Sequence, residues 1–120
     1  MMKVLTVLAV LAGVFSASPA FAHAHLLQAE PAVGAEVASA AAVRLSFSEG
    51  VEGKFSSITV TDAAGRAVSS EPARADPQDG RVLGLLLPGP LAPGVYSVSW
   101  SVVSVDTHRS SGHFTFTVRP

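Results

Sequence analysis

The chain has 120 residues, a formal net charge of −1 and no cysteine. That length holds one small domain; the missing cysteines exclude disulfides, thiolate metal sites and cysteine nucleophiles, and no basic stripe offers a nucleic-acid footprint. Both methionines, Met1 and Met2, stand at the very start, so a metal held further along must be bound by nitrogen and oxygen, which suits Cu(II), Zn or Ni better than Cu(I).

Residues 1–22 have the layout of a secretory signal. Lys3 supplies a short positive region, residues 4–15 are apolar, and Ala20-Phe21-Ala22 is an A-x-A cleavage pattern. The apolar run is short of the roughly 20 residues a membrane-spanning helix needs. Cleavage after Ala22 predicts an exported domain of residues 23–120 that begins with His23; a cut after Ala20 would instead leave Phe21 first.

The remainder reads as β. Residues 38–42 can form one helical turn or a loop. Val43, Leu45 and Phe47 alternate with Arg44, Ser46 and Ser48, the period of a strand with one buried face. Ile58 and Val60 alternate with Ser57, Thr59 and Thr61; Asp62-Ala63-Ala64-Gly65 then makes a turn, and residues 66–69 return as a hairpin partner. Residues 70–80, with Pro72, Pro77 and Gly80, read as a surface loop, and residues 81–87 as a strand. Pro88, Gly89, Pro90, Pro93 and Gly94 break the chain again.

Residues 95–105 form the most regular strand, with Tyr96, Val98, Trp100 and Val102 facing one way and Ser97, Ser99 and Ser101 the other. The apolar phase then passes to Val103 and Val105, which predicts a β-bulge or bend. If the strand continues beyond it, Ser104, Asp106 and His108 share the outward face. In the last strand Phe114, Phe116 and Val118 point inward, and His113, Thr115 and Thr117 outward. Short strands, frequent turns and no helical period imply an all-β sandwich or barrel.

Two segments carry metal chemistry. A first-residue His offers its α-amine nitrogen and ring Nδ1 as a six-membered chelate, which fills half the tetragonal plane that Cu(II) prefers. Residues i and i+2 of an extended segment face one side, so Asp106 and His108 can converge on one ion. The combined donor set is two nitrogens from His23, the His108 imidazole and an Asp106 carboxylate oxygen. Each half alone is ordinary, since Asp-x-His is more often a solvated pair, and spacing does not bring the two halves together. Asp106, His108 and Ser110 or Ser111 contain the residue types of a hydrolase triad, but they are local neighbours without a nucleophile elbow. A metal-free, Ig-like interaction module fits the strand pattern equally well.

His23-Ala24-His25-Leu26, then Pro31 and Gly34, then Leu45-Ser46-Phe47-Ser48-Glu49, resemble the opening half of the CopC family of periplasmic copper-binding proteins. The run from Tyr96 through Trp100, Ser104 and Asp106 to His108, with Gly112 and Phe114-Thr115-Phe116-Thr117-Val118, resembles its closing half. The resemblance implies a seven-stranded Greek-key β-barrel or sandwich, cupredoxin-like or immunoglobulin-like. It also implies one Cu(II) site built from His23, Asp106 and His108, with Glu49 beside it as a weak ligand or hydrogen-bond acceptor. The function implied is copper sequestration, transfer or tolerance by a monomer rather than catalysis, with an inner-membrane CopD-like copper transport protein as partner.

The chain departs from the family pattern in places. Some members carry a second, Cu(I) site in a methionine-rich loop, for which this chain has no methionine. Thr107 and Arg109 stand where Gly and Pro are often seen, and Arg109 alters the charge at the rim. His25 and His113 are not read as ligands. Lytic polysaccharide monooxygenases also hold copper with an N-terminal His and a second His on a β-sandwich. They need an open coordination position, which Asp106 would occupy here.

Overall fold

Alternating apolar and hydroxylated residues build two sheets, which the computed structural model describes for residues 23–69 and 71–120; the expected signal at residues 1–22 lies outside the described residues. The strands are β1 (Leu26–Glu30), β2 (Glu36–Val37), β3 (Ala42–Phe47), β4 (Ser57–Thr61), β5 (Arg74–Asp76), β6 (Asp79–Leu86), β7 (Gly94–Val103) and β8 (Arg109–Val118), with one 3-10 turn at Gly53–Phe55. One sheet runs β1-β3-β6-β5 and the other β2-β8-β7-β4. All neighbours are antiparallel except β2, which lies parallel to β8. This all-β sandwich has eight strands where seven were implied, β2 and β5 being only two and three residues long.

The core is the set of alternating positions read from the sequence. Val43, Leu45 and Phe47 of one sheet meet Val60, Val98, Trp100, Val102, Phe116 and Val118 of the other, all buried. Burying such side chains is worth roughly 1.5–3 kcal/mol each before chain entropy is counted. Phe47 meets Trp100 edge-on with ring centroids 5.1 Å apart, and Tyr96 stacks on its cross-strand neighbour Phe116 at 5.5 Å.

The turn at residues 62–65 forms as expected, with Asp62 Oδ1 accepting from the backbone N–H groups of Ala64 and Arg66. The return at residues 66–69 makes only one bridge, Thr61 to Ala67. Residues 38–41 form a loop. Two other expectations are corrected. The stretch 70–80 is not all loop: β5 pairs with β6 at Arg74–Gly84 and Ala75–Leu83, and Asp76 ties it to β3 through Arg44 at 3.2 Å. An edge strand this short has too few residues to show a period.

The second correction concerns the end of β7. Its register with β8 is unbroken from Gly94–Val118 to Val103–Arg109, so of the expected bulge or bend there is no bulge, and the chain bends only beyond this pairing. Val103 is half-buried, Val105 is 58% exposed, and Ser104 takes the next inward position at 0% exposure. A serine can occupy that position because its hydroxyl finds acceptors inside.

The strand then stops instead of carrying Asp106 and His108 outward. Residues 104–107 turn, with Thr107 N–H donating to Ser104 O at 2.8 Å and Ser104 N–H to His108 O at 2.9 Å. The turn puts Thr107 at φ 78°, the left-handed region that β-branched residues avoid.

Two substitutions test this account. Gly112 lies opposite Trp100, and a Cβ there would sit 2.6 Å from Trp100 Cζ2 and 2.9 Å from Cε2. Gly112→Ala is expected to destabilise by ~1–3 kcal/mol through overpacking, measured by chemical denaturation with Trp100 fluorescence as probe. Thr107→Gly relieves the left-handed strain and is expected to stabilise by ~1 kcal/mol, raising Tm by about 4–8 °C in calorimetry.

Candidate metal centre

The front of the described chain is held to the body by three short contacts. Ala24 is buried in the core, and its carbonyl accepts from Ser110 Oγ at 2.8 Å, across 86 residues of sequence. The next residue, His25, donates its backbone N–H to Ser48 Oγ at 2.9 Å and accepts Ser48 N–H at the same distance. The segment before β1 is thus pinned between the end of β3 and the start of β8. His23, one residue ahead of the buried Ala24, must then lie over the β7–β8 hairpin. Its ring meets that of His108 edge-to-face, with centroids 5.3 Å apart.

The hairpin supplies the other groups. Asp106 Oδ1 accepts from the Ser104 hydroxyl and, at 3.3 Å, from His108 N–H. Asp106 Oδ2 lies 3.4 Å from His108 Nδ1. The Ser104 hydroxyl is the leading reason that the Asp106 carboxyl is held below the ordinary carboxylate range, reinforced by the backbone and ring of His108. Asp106 is therefore an anion at neutral pH and reaches the surface with His108, where both are exposed.

His23, Asp106 and His108 are brought together, although by a turn and not by the shared strand face that spacing suggested. They are neighbours rather than a finished cage: among the described residues no three His, Cys, Asp or Glu side chains stand as a ready metal site. A fourth donor, the α-amine of His23, exists only once the bond to Ala22 is cut. What the cluster can do chemically follows from its donors, which are imidazole nitrogens and one ionised oxygen with no sulfur, a set suited to a borderline divalent ion.

Glu49 is half-buried in the short segment between two of these anchors, next to Ser48, which holds His25, and Gly50, whose carbonyl accepts Val105 N–H at 3.0 Å. Its backbone therefore lies at the rim of the cluster. Arg109 does not turn to Asp106, because its guanidinium donates to Ser101 Oγ at 2.6 Å. His25 and His113 are exposed. The supporting roles of Ser48, Ser104 and Ser110 were not legible in sequence; Ser110 stood out only as a triad nucleophile, and it is engaged instead in holding Ala24. A groove of about 310 Å³ runs over the outer face of the other sheet, lined by Ala42, Val82, Gly84 and Leu86 among others, and it includes none of the cluster residues.

Comparison with known proteins places this arrangement. Residues 26–119 match the family model described as the CopC domain. The chain is 44% identical over 100 residues to Protein YobA of Escherichia coli (strain K12), covering 82% of this chain and 81% of that protein. Its fold superposes on the crystal structure of CopC from Methylosinus trichosporium OB3b with a TM-score of 0.76 and 38% identity, covering 82% of this chain and 95% of that one. It also superposes on PcoC, a methionine-rich copper resistance protein from Escherichia coli, with a TM-score of 0.72 and 33% identity, covering 82% and 100%. The sandwich is thus the CopC-like, cupredoxin-like fold, and homologues of this family are typically periplasmic. A match across nearly every described residue, joined to a nitrogen–oxygen cluster at one pole, leads to one conclusion: the chain belongs to the CopC family, whose members are copper-binding proteins and not enzymes.

Proposed function

We propose that residues 1–22 are removed on export and that the domain of residues 23–120 holds one Cu(II) in the periplasm, to sequester it or pass it on. The ligands are the α-amine and Nδ1 of His23, the His108 imidazole and the Asp106 carboxylate, with Glu49 at the rim as a weak ligand or hydrogen-bond acceptor. The observation that carries this reading is the approach of the His23 ring to the His108 ring across almost the whole domain. Folding energy positions both halves of the site, so the ion does not have to order either of them.

Nitrogen and oxygen donors with an anionic carboxylate stabilise Cu(II) over Cu(I). No methionine follows Met2, so a methionine-rich Cu(I) site of the kind some family members carry has no ligands here. Asp106 and His108 are exposed, which leaves the cargo reachable by another protein. The partner this reading assigns is an inner-membrane, CopD-like copper transport protein, met by a monomer.

Titration of the processed protein with Cu(II), followed by paramagnetic resonance, tests the donor set. One equivalent is expected to bind with a tetragonal nitrogen–oxygen signal. One extra residue ahead of His23 removes the α-amine and is expected to abolish the tight site; equal affinity in that form would overturn the reading. His108→Phe is expected to weaken binding by more than ~100-fold, beyond the usual cost of losing an outer partner, with Tm little changed because the ring is exposed.

Acid should also release the metal, since nitrogen donors bind only when deprotonated. The Asp106 carboxyl, held below the carboxylate range, stays ionised at mildly acidic pH. The loss of affinity expected on mild acidification is therefore not owed to protonation of Asp106. Asp106→Asn should lower affinity at neutral and mildly acidic pH alike without changing the pH slope, as measured by competitive chelator titration.

A further inference from the structure

Asp106 has two carboxylate oxygens, and the fold treats them differently. Oδ1 is turned inward, where it accepts from the Ser104 hydroxyl and from His108 N–H. Oδ2 is on the imidazole side, 3.4 Å from His108 Nδ1. Ser104 is itself fully buried at the inner end of β7, so its hydroxyl cannot turn to water. It has one proton to give, and Asp106 Oδ1 and, at 3.1 Å, His108 O are among the acceptors within its reach. The His108 carbonyl already receives Ser104 N–H at 2.9 Å. The carboxylate is the charged and therefore stronger acceptor, so the proton belongs to Asp106.

We propose that Ser104 is a positioning residue for the metal site: it commits Oδ1 of Asp106 to the protein and presents Oδ2 alone to the ion. The inference rests on the copper reading above and adds a residue to it. Asp106 sits in a turn at the surface, where a carboxylate free to rotate about χ1 and χ2 would otherwise sweep through several positions and could offer both oxygens at once. A buried donor one residue beyond the last pair of the β7–β8 ladder, Val103–Arg109, removes that freedom. The same serine holds both termini of the turn, through its N–H to His108 O and its carbonyl to Thr107 N–H. One residue thereby sets the carboxylate oxygen and the imidazole-bearing backbone in a common frame. Outer groups that orient a metal ligand typically change affinity by ~10–100-fold when removed.

The test is a double-mutant cycle on the processed protein, using Cu(II) affinity by chelator competition and the paramagnetic resonance spectrum of each variant. Ser104→Ala is expected to weaken Cu(II) binding by ~10–100-fold and to shift the copper hyperfine splitting. In an Asp106→Ala background the same change should cost nothing further, because the hydroxyl then has no ligand to orient. An equal loss in both backgrounds, or an unchanged affinity and spectrum, would overturn the inference. Absence of Cu(II) binding by the wild type would overturn the copper reading instead, and this inference with it. In the metal-free wild type the Ser104 hydroxyl proton is expected to exchange slowly enough for detection by NMR, at a shift set by its bond to the carboxylate. That shift should move in Asp106→Ala, and an unchanged shift there would also overturn the assignment.

Discussion

The burial of Ala24 is the constraint on which the site depends. A methyl side chain in the core does little for stability by itself, but it fixes where the chain enters the sandwich. Its carbonyl is held by Ser110 Oγ, and the following residue is held by Ser48. The order of the three described residues before β1, His23 to His25, thus follows from a few hydrogen bonds, each worth about 1 kcal/mol. Without them the front of the chain would fray like most termini, and His23 would have no defined relation to His108. The cost of bringing two distant parts of the chain together is met by folding and not by the metal.

The hairpin that faces this segment is built under tension. Thr107 is held in a backbone conformation it disfavours, between Asp106 and His108. Such strain persists only where surrounding contacts determine the backbone. Here they are the Ser104–His108 and Ser104–Thr107 backbone bonds, the long β7–β8 ladder below them, and the bond from Val105 N–H to Gly50 O at the side. A turn fastened on two sides is a rigid mount for side chains that are themselves at the surface. For the proposed site the exposed side chains and the rigid base would serve opposite needs: an ion must reach the pole from solvent, yet its ligands must not wander.

Much of the fold was legible because burial is periodic. Val43, Leu45 and Phe47, then Ile58 and Val60, then Tyr96 to Val102, show in one dimension which face is inside, and the structure buries each of them. Legibility fails where that signal is interrupted. β1 has a register shift between Leu26 and Gln28 and buries only Ala29 fully, so its pattern has no clean alternation. β5 is three residues long at a sheet edge. Val103 and Val105 mislead because valine is a stronger burial signal than serine, whereas the strand's phase continues into Ser104.

The residue types themselves determined the class of chemistry. Without cysteine, and without methionine after Met2, only nitrogen and oxygen can bind a metal here, and no folding event can change that. Strand number, sheet order and the nearness of His23 to His108 could not be read from spacing, because separation along the chain says nothing about distance between strands of different sheets. Tertiary structure alone decided that Asp106 and His108 meet through a turn, that Ser104 faces inward to hold the carboxylate, and that Ser110 reaches back to Ala24. The physical reason is that side-chain periodicity is local, whereas these hydrogen bonds join backbone segments whose approach depends on how the whole core packs.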